Sequence, residues 1–585
     1  MRLLQLSPFS FQLSVFSFSL SLSMKKFALT IIVILSFVPV KAQNEEAFTI
    51  LETRGEIYFS FSEKERAKID SLSAIISIDK TESKPGRVYA YANREEFIQF
   101  LNRGYACEII PPHKDLETKS GTMAATVEEM QHHDKYPTYP VYLDLMKSFR
   151  ETYSDLCTID TIGYSVNNRL ILSARITNDR NNANPKFFYS STMHGDEVTG
   201  FVLMLRLIEH LLFNYGKDEK ITRLVNTVDI YINPNANPDG TYPFSDSTVF
   251  DAKRYNANRV DLNRNYPDPF RFEEILIQPE NEAMINYAEK HRFTLAANIH
   301  GGAEIVNFPW DSYTSPKRMP ADSTWWKHIS KQFVDTCRTY NPSSFSDTDP
   351  SGITYGGDWY TVAGGRQDFM NASLNIRELT LEISSEKILR PGRLPDYWEF
   401  QHRSLLNYIE QAAFGIHGKV TDSATDNPIP AKVFINNHDD QYSFIYGSPS
   451  NGHFFRPMPS GKYDISFSAD GYTSKTVKNI SVEDFASTFV SVRLGKDSTI
   501  SLNPTTNDYL IYPNPATNVI CIEHPETIKE IDLYNSSGQK MEELREINLT
   551  KYNLNISHIR PGIYILRIQT KNDNRFRSFV KQNPH

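Results

Sequence analysis

Cysteine is almost missing from this chain: Cys107, Cys157, Cys337 and Cys521 are the only four in 585 residues, far apart and without CxxC or Cys/His spacing. That excludes a disulfide-dense scaffold and a cysteine-based metal site, though not one or two isolated bridges, so metal ligands must be sought among His, Asp and Glu. An excess of positive charge is missing too. The formal charge of −8 gives no electrostatic reason to expect a nucleic-acid partner. No run of eighteen uninterrupted apolar residues follows the N-terminal segment, so no transmembrane anchor is expected, and no internal repeat is visible. What remains is an ordinary soluble composition, 40% hydrophobic and 23% charged, on a chain too long for one core. Its length suggests roughly three to five domains.

The first 42 residues read as a signal peptide. Met24-Lys25-Lys26 supplies the positive start, Phe27 to Val40 the apolar stretch, and Val40-Lys41-Ala42 a cleavage site before Gln43, with Met24 the expected initiator. Residues 43–126 form a small α+β unit ending in a polar linker, an expected pro-segment or accessory domain. In it Glu56–Phe61 and Arg87–Tyr91 alternate like strands, while Glu63–Leu72 and Arg94–Arg103 are helix-like. From 127 to 413 strands and helices interleave, which predicts an α/β domain with helices on both faces of a mixed sheet and a site at the strand ends. Residues 414–496 read as a small β-sandwich, and 509–585 as a second β unit beyond a Ser/Thr/Asn/Asp linker.

His194-Gly195-Asp196-Glu197 lies where the strand Pro185–Ser191 gives way to an apolar helix, Glu197–Phe213. Three-residue spacing across that turn can aim an imidazole and a carboxylate at one point, but alone it is a weak signal. His300 closes another strand, Phe293–Ile299, and offers the third ligand that a catalytic Zn²⁺ requires beside an open position for water. Two further stretches follow a strand: Asn233-Pro234-Asn235-Ala236-Asn237-Pro238-Asp239-Gly240, and Arg254 to Pro267, reading RYNANRVDLNRNYP.

With these stretches the chain resembles the zinc metallocarboxypeptidases of the carboxypeptidase A/B and N/E superfamily. HGDE, NPNANPDGT, RYNANRVDLNRNYPD, IHGGAEIVNFPWD, WYTVAGGRQDF and LTLEIS occur in that family's order across about 130–390. The resemblance implies one Zn²⁺ on His194, Glu197 and His300. It makes Glu382 the general base and proton carrier, and Arg254 the group that stabilises the oxyanion. Asn263 and Arg264 would hold the terminal carboxylate of a peptide or protein substrate, and Tyr360 would close over it. Other readings of the same residues stay open: Arg254 or Arg264 could pair with Asp261 or Asp268, and Glu382 could be a structural carboxylate.

For the side-chain pocket the resemblance is to N/E-type members, with Asp311 and Gln367 at the positions that select Lys or Arg. Arg366 departs from the pattern: it could neutralise Asp311, admit an acidic residue, or point into solvent. Residues 415–495 resemble the transthyretin-like sandwich that follows the catalytic domain in those members. The last 77 residues, with Tyr512-Pro513-Asn514-Pro515 and Arg560-Pro561-Gly562-Ile563-Tyr564, resemble the C-terminal sorting domain of type IX secretion substrates. That implies an export machinery as partner and a secreted or surface-attached protein. A zinc amidase acting on peptidoglycan peptides and a catalytically silent surface-binding module are the alternatives to a protein carboxypeptidase.

Overall fold

The structure, a computed structural model, describes residues 45–82, 86–111, 123–179, 183–271, 275–497, 510–535, 540–571 and 574–582. The expected signal peptide and the linker between the two C-terminal β units lie largely outside them. All four cysteines are unpaired thiols.

The N-terminal unit is a four-stranded antiparallel sheet. Its strands are β1 (Ile57–Ser62), β2 (Ser77–Glu82), β3 (Arg87–Ala92) and β4 (Cys107–Ile110), in the order β2-β3-β1-β4. Two of them, β2 and β4, do not appear in the sequence reading. Phe59, Phe61, Ile78, Val88 and Ala90 face a core shared with Phe97 and Phe100 of the helix Arg94–Asn102. That helix starts at a capping box, in which Asn93 accepts from the N–H of Glu96 and Glu96 accepts from the N–H of Asn93.

An eight-stranded mixed sheet follows: β5 (Cys157–Tyr164), β6 (Leu170–Ile176), β7 (Lys186–Ser191), β8 (Asp229–Asn233), β9 (Leu295–His300), β10 (Ala303–Phe308), β11 (Ile353–Tyr355) and β12 (Arg377–Ser384). The order is β11-β10-β12-β9-β7-β8-β6-β5, and the middle four strands β12, β9, β7 and β8 run parallel. Strand periodicity divides their side chains between two cores. Phe187, Tyr189, Ile230, Ile232, Leu295, Ala297, Ile299, Leu379, Leu381 and Ile383 meet the helices Thr199–Asn214, Ser323–Tyr340 and Leu394–Glu410 on one face. Phe188, Tyr231 and Ala296 meet the helices Pro279–His291 and Arg366–Leu374 on the other. The first of these helices begins at Thr199, two residues later than the apolar periodicity suggests, which leaves Glu197 in the preceding turn. Eleven of its sixteen side chains are buried, so tertiary packing rather than capping holds it.

Behind this domain the two β units are sandwiches of a three- and a four-stranded sheet each. Buried Arg456 ties the first one to the eight-stranded sheet. It donates to Asp439 of its own unit (2.6 Å) and to Asp322 (2.7 Å), which also pairs with Arg377 of β12. His438 joins Asp322 and Asp439 in a potential ligand cluster, but Arg456 already supplies the cation there.

Candidate metal and peptide site

On the face of the sheet opposite the larger core, β9 and β12 end in polar residues. Their parallel register sets Glu382 beside His300 and Thr380 beside Asn298, while β7 runs alongside and hands the chain to His194. Gly195 lets this turn press against the loop after β8, since a Cβ there would strike the backbone of Gly240. The fold therefore delivers three donors to one point, His194 and Glu197 from one short turn and His300 through strand register.

His194 Nδ1 lies 3.0 Å from Glu197 Oε1, His300 Nδ1 lies 2.8 Å from Glu197 Oε2, and the two Nδ1 atoms are 3.0 Å apart. Ligands of a tetrahedral zinc stand about 3.3 Å from one another, so the two nitrogens and the carboxylate fit that ion in donor type and spacing. The far ring nitrogens have partners: His194 Nε2 is 3.1 Å from Asp261 Oδ1, and His300 Nε2 is 2.7 Å from the Asn298 amide. The Asp261 carboxylate accepts from His194 Nε2 and so fixes the tautomer that leaves its Nδ1 free for a metal.

Around the triad stand Arg254, Asn263, Arg264, Asp311, Tyr360 and Glu382, all lining one cavity. Arg254 is buried, donates from Nε to Asp261 (3.0 Å) and brings Nη1 within 3.4 Å of Glu197. Arg264 donates Nη1 to the Asn263 carbonyl, while its buried Nε and Nη2 have no protein partner. Two unpaired guanidinium N–H groups at a cavity wall are what an incoming carboxylate needs. Burial first, and then the charge of Glu197, hold the Glu382 carboxyl well above the usual range.

Asp311 is buried and accepts from Asn307 (3.1 Å) and Gln367 (2.9 Å) through Oδ1. Asp368 shapes the turn beneath it by accepting the N–H groups of Asp311 and Ser312, both at 2.8 Å. Gly356 forms the pocket wall, where a methyl group would collide with Asp311 Oδ1. Burial, followed by the charge of Asp368, raises the Asp311 carboxyl well above its ordinary value. Arg366 goes elsewhere. Its guanidinium is wholly buried on Glu378 of β12, at 2.9 and 3.0 Å, so it neither neutralises Asp311 nor reaches solvent, and only its N–H touches the site, donating to Asn263.

Two charged residues in the site were not singled out in the sequence. Lys387, just beyond β12, places Nζ 2.8 Å from Glu197 Oε1, and Asp79 of β2 lies 2.9 Å from the same Nζ. Lys387 sits in a polar run, Ser384-Ser385-Glu386-Lys387, that reads as solvent-facing loop. Asp79 lies on β2, a strand absent from the sequence reading, in a unit with no evident link to the chemistry.

Residues 142–403 match the family model described as Zinc carboxypeptidase, 415–495 the Carboxypeptidase regulatory-like domain, and 510–582 the Secretion system C-terminal sorting domain. Human Carboxypeptidase D is 32% identical over 393 residues, 64% of this chain, although that match spans only 27% of the relative's length. Mouse Carboxypeptidase M is 30% identical over 352 residues, 57% of this chain and 78% of the relative. Among solved structures, the Carboxypeptidase A from Helicoverpa armigera aligns with a TM-score of 0.49 at 18% identity, covering 61% of this chain and 97% of that one.

Proposed function

Since the chain belongs to the zinc carboxypeptidase family, we propose that it is an exported metallocarboxypeptidase that removes Lys or Arg from the C-termini of peptides or proteins. The observation that carries this reading is the convergence in one cavity of a His₂Glu donor set, the unpaired N–H groups of Arg264 and the buried carboxylate of Asp311. A zinc ion on His194, Glu197 and His300 would supply Lewis-acid polarisation of the scissile carbonyl and of the attacking water. Arg264 and Asn263 hold the substrate's terminal carboxylate, which fixes the distance from the chain end to the bond that is cut. Glu382 takes the proton of the attacking water and passes it to the departing amine. Arg254 meets the negative charge that develops on the carbonyl oxygen. Tyr360 lies at the cavity wall, placed to cover a bound residue.

Arg366 bears on the choice of substrate. Locked on Glu378, it leaves Asp311 as the acidic group of the side-chain pocket and offers no second cation for the extra carboxylate of a peptidoglycan peptide. A panel of peptides differing only in the last residue, assayed with and without a chelator, tests the proposal. Lys- and Arg-ending peptides should be cut fastest, and chelation should abolish cutting. Equal rates on Phe- or Glu-ending peptides would remove the basic preference, and undiminished activity after verified metal removal would remove the mechanism.

The sorting domain supports passage through the outer membrane, with release or surface attachment afterwards. Deleting residues from Tyr509 onward should trap the protein inside the cell, as read by fractionation of cells and medium. Unchanged export of the shortened chain would overturn this part.

A further inference from the structure

Asp311 sits in a turn with two aromatic neighbours, Trp310 before it and Tyr313 after it. The backbone of this turn is tethered, because the Trp310 carbonyl accepts from the N–H of Gly357 at 2.8 Å. The indole is not tethered in that way. It is buried and its Nε1 has no protein partner, so ring packing rather than a hydrogen bond sets its place. Phe270 meets it edge to face with the centroids 5.1 Å apart, and Tyr442 meets it at 5.9 Å. Phe270 and Tyr442 touch each other at 5.2 Å, and the Arg318 guanidinium lies 4.8 and 4.7 Å from their ring centroids, closing the cluster.

Tyr442 does not belong to the domain that holds the pocket. It lies in the β-sandwich 415–495, in the turn between its strands Lys432–Ile435 and Ile445–Tyr446. Asp440 stiffens that turn by accepting from the N–H of Tyr442 (2.8 Å) and the hydroxyl of Ser443 (3.1 Å). The Ser443 carbonyl makes a second contact, accepting from Arg377 at the start of β12. The next residue of β12, Glu378, holds Arg366, whose neighbour Gln367 donates to Asp311. Asn371 fastens the same helix to β12 by donating to the carbonyls of Gln367 (2.9 Å) and Glu378 (2.7 Å). One turn of the sandwich thus reaches Asp311 along two routes, through Trp310 and through β12. We propose that Tyr442 is a positioning residue for the choice of the last side chain, fixing through Trp310 where the Asp311 carboxylate stands. The inference rests on the reading that Asp311 selects lysine and arginine. A shift of about 1 Å in a group that must meet a cation can cost up to about 10²-fold, whereas the metal ligands and Glu382 are placed by contacts of their own.

The test uses the full chain, with Tyr442→Ala and Tyr442→Leu made both alone and together with Asp311→Asn. Each form is assayed on two peptides that differ only in ending in Lys or Phe. Tyr442→Ala should raise KM for the Lys-ending peptide about tenfold, with its kcat and the Phe-ending peptide nearly unchanged. Tyr442→Leu, which keeps apolar bulk, should show a smaller loss of the same kind. In the Asp311→Asn background neither change should cost anything further, because the carboxylate that Tyr442 positions is gone. Equal losses on both peptides, no loss on either, or a loss that adds to that of Asp311→Asn would overturn the proposal. If the alanine variant does not fold, the leucine variant decides by the same comparison. A wild type that cuts the Lys-ending peptide no faster than the Phe-ending one removes the basic-pocket reading, a failure read from the wild type alone, and the proposal falls with it.

Discussion

Glu382→Gln should lower kcat by about 10²–10⁴ with little change in KM and with zinc still bound, because the substitution keeps shape and removes only the ability to carry a proton. The structure gives three reasons to expect so large an effect. Register on β12 holds the side chain beside His300, so the carboxylate faces the metal position from a rigid strand instead of a loop. Its Oε2 is buried without a protein partner, so no neighbouring donor occupies the oxygen that is to receive the proton. Burial and the nearby Glu197 charge raise its proton affinity above that of an ordinary carboxylate, which suits a group that must both accept a proton from water and release it to an amine. The measurement is steady-state kinetics on the purified enzyme, together with zinc content by elemental analysis. A variant that keeps its kcat would remove Glu382 from the mechanism, and one that lost its zinc would show a structural role instead.

Glu382 was named from the sequence only through the family resemblance that LTLEIS carries together with the other motifs. HGDE at a strand end, a histidine closing another strand and LTLEIS on a third are each short, and strand periodicity fixes which of their side chains share a face. The apolar run Phe187-Phe188-Tyr189 and the stretch Leu379-Thr380-Leu381 were likewise enough to place β7 and β12. Residues whose role depends on a distant partner were harder to read. Arg366 looked like a candidate for the pocket because it departs from the family's pattern there; only the pairing of the helix Arg366–Leu374 with β12 shows that the guanidinium turns back to Glu378. A buried arginine paired with a carboxylate and a solvent-facing one have the same local sequence. Asp79 was missed for the same reason at longer range, since nothing within β2 signals that it docks 308 positions away on Lys387.

Asp311→Asn should cost Lys- and Arg-ending peptides on the order of 10²–10³ in kcat/KM while leaving peptides with a neutral last residue nearly unchanged. The estimate follows from the price of removing one partner of a buried charge pair, about 2–5 kcal/mol. It applies here because Asp311 is buried: Asn307 and Gln367 occupy one oxygen, Gly356 packs against it, and Arg366 is committed elsewhere. The same geometry predicts a pH signature. Burial and Asp368 raise the Asp311 carboxyl in the empty pocket, so it holds a proton to higher pH than an ordinary aspartate, whereas a bound lysine or arginine cation favours the carboxylate. Binding therefore releases a proton. KM for a Lys-ending peptide should rise as the pH falls through and below the raised pKa of Asp311, and the asparagine variant should lose that slope. Because Asn307, Gln367 and the Asp368-bound turn remain in place in the variant, a matching loss on neutral peptides would point to a collapsed pocket. A loss confined to basic termini, with a flattened pH profile, would assign the selection of lysine and arginine to this one carboxylate.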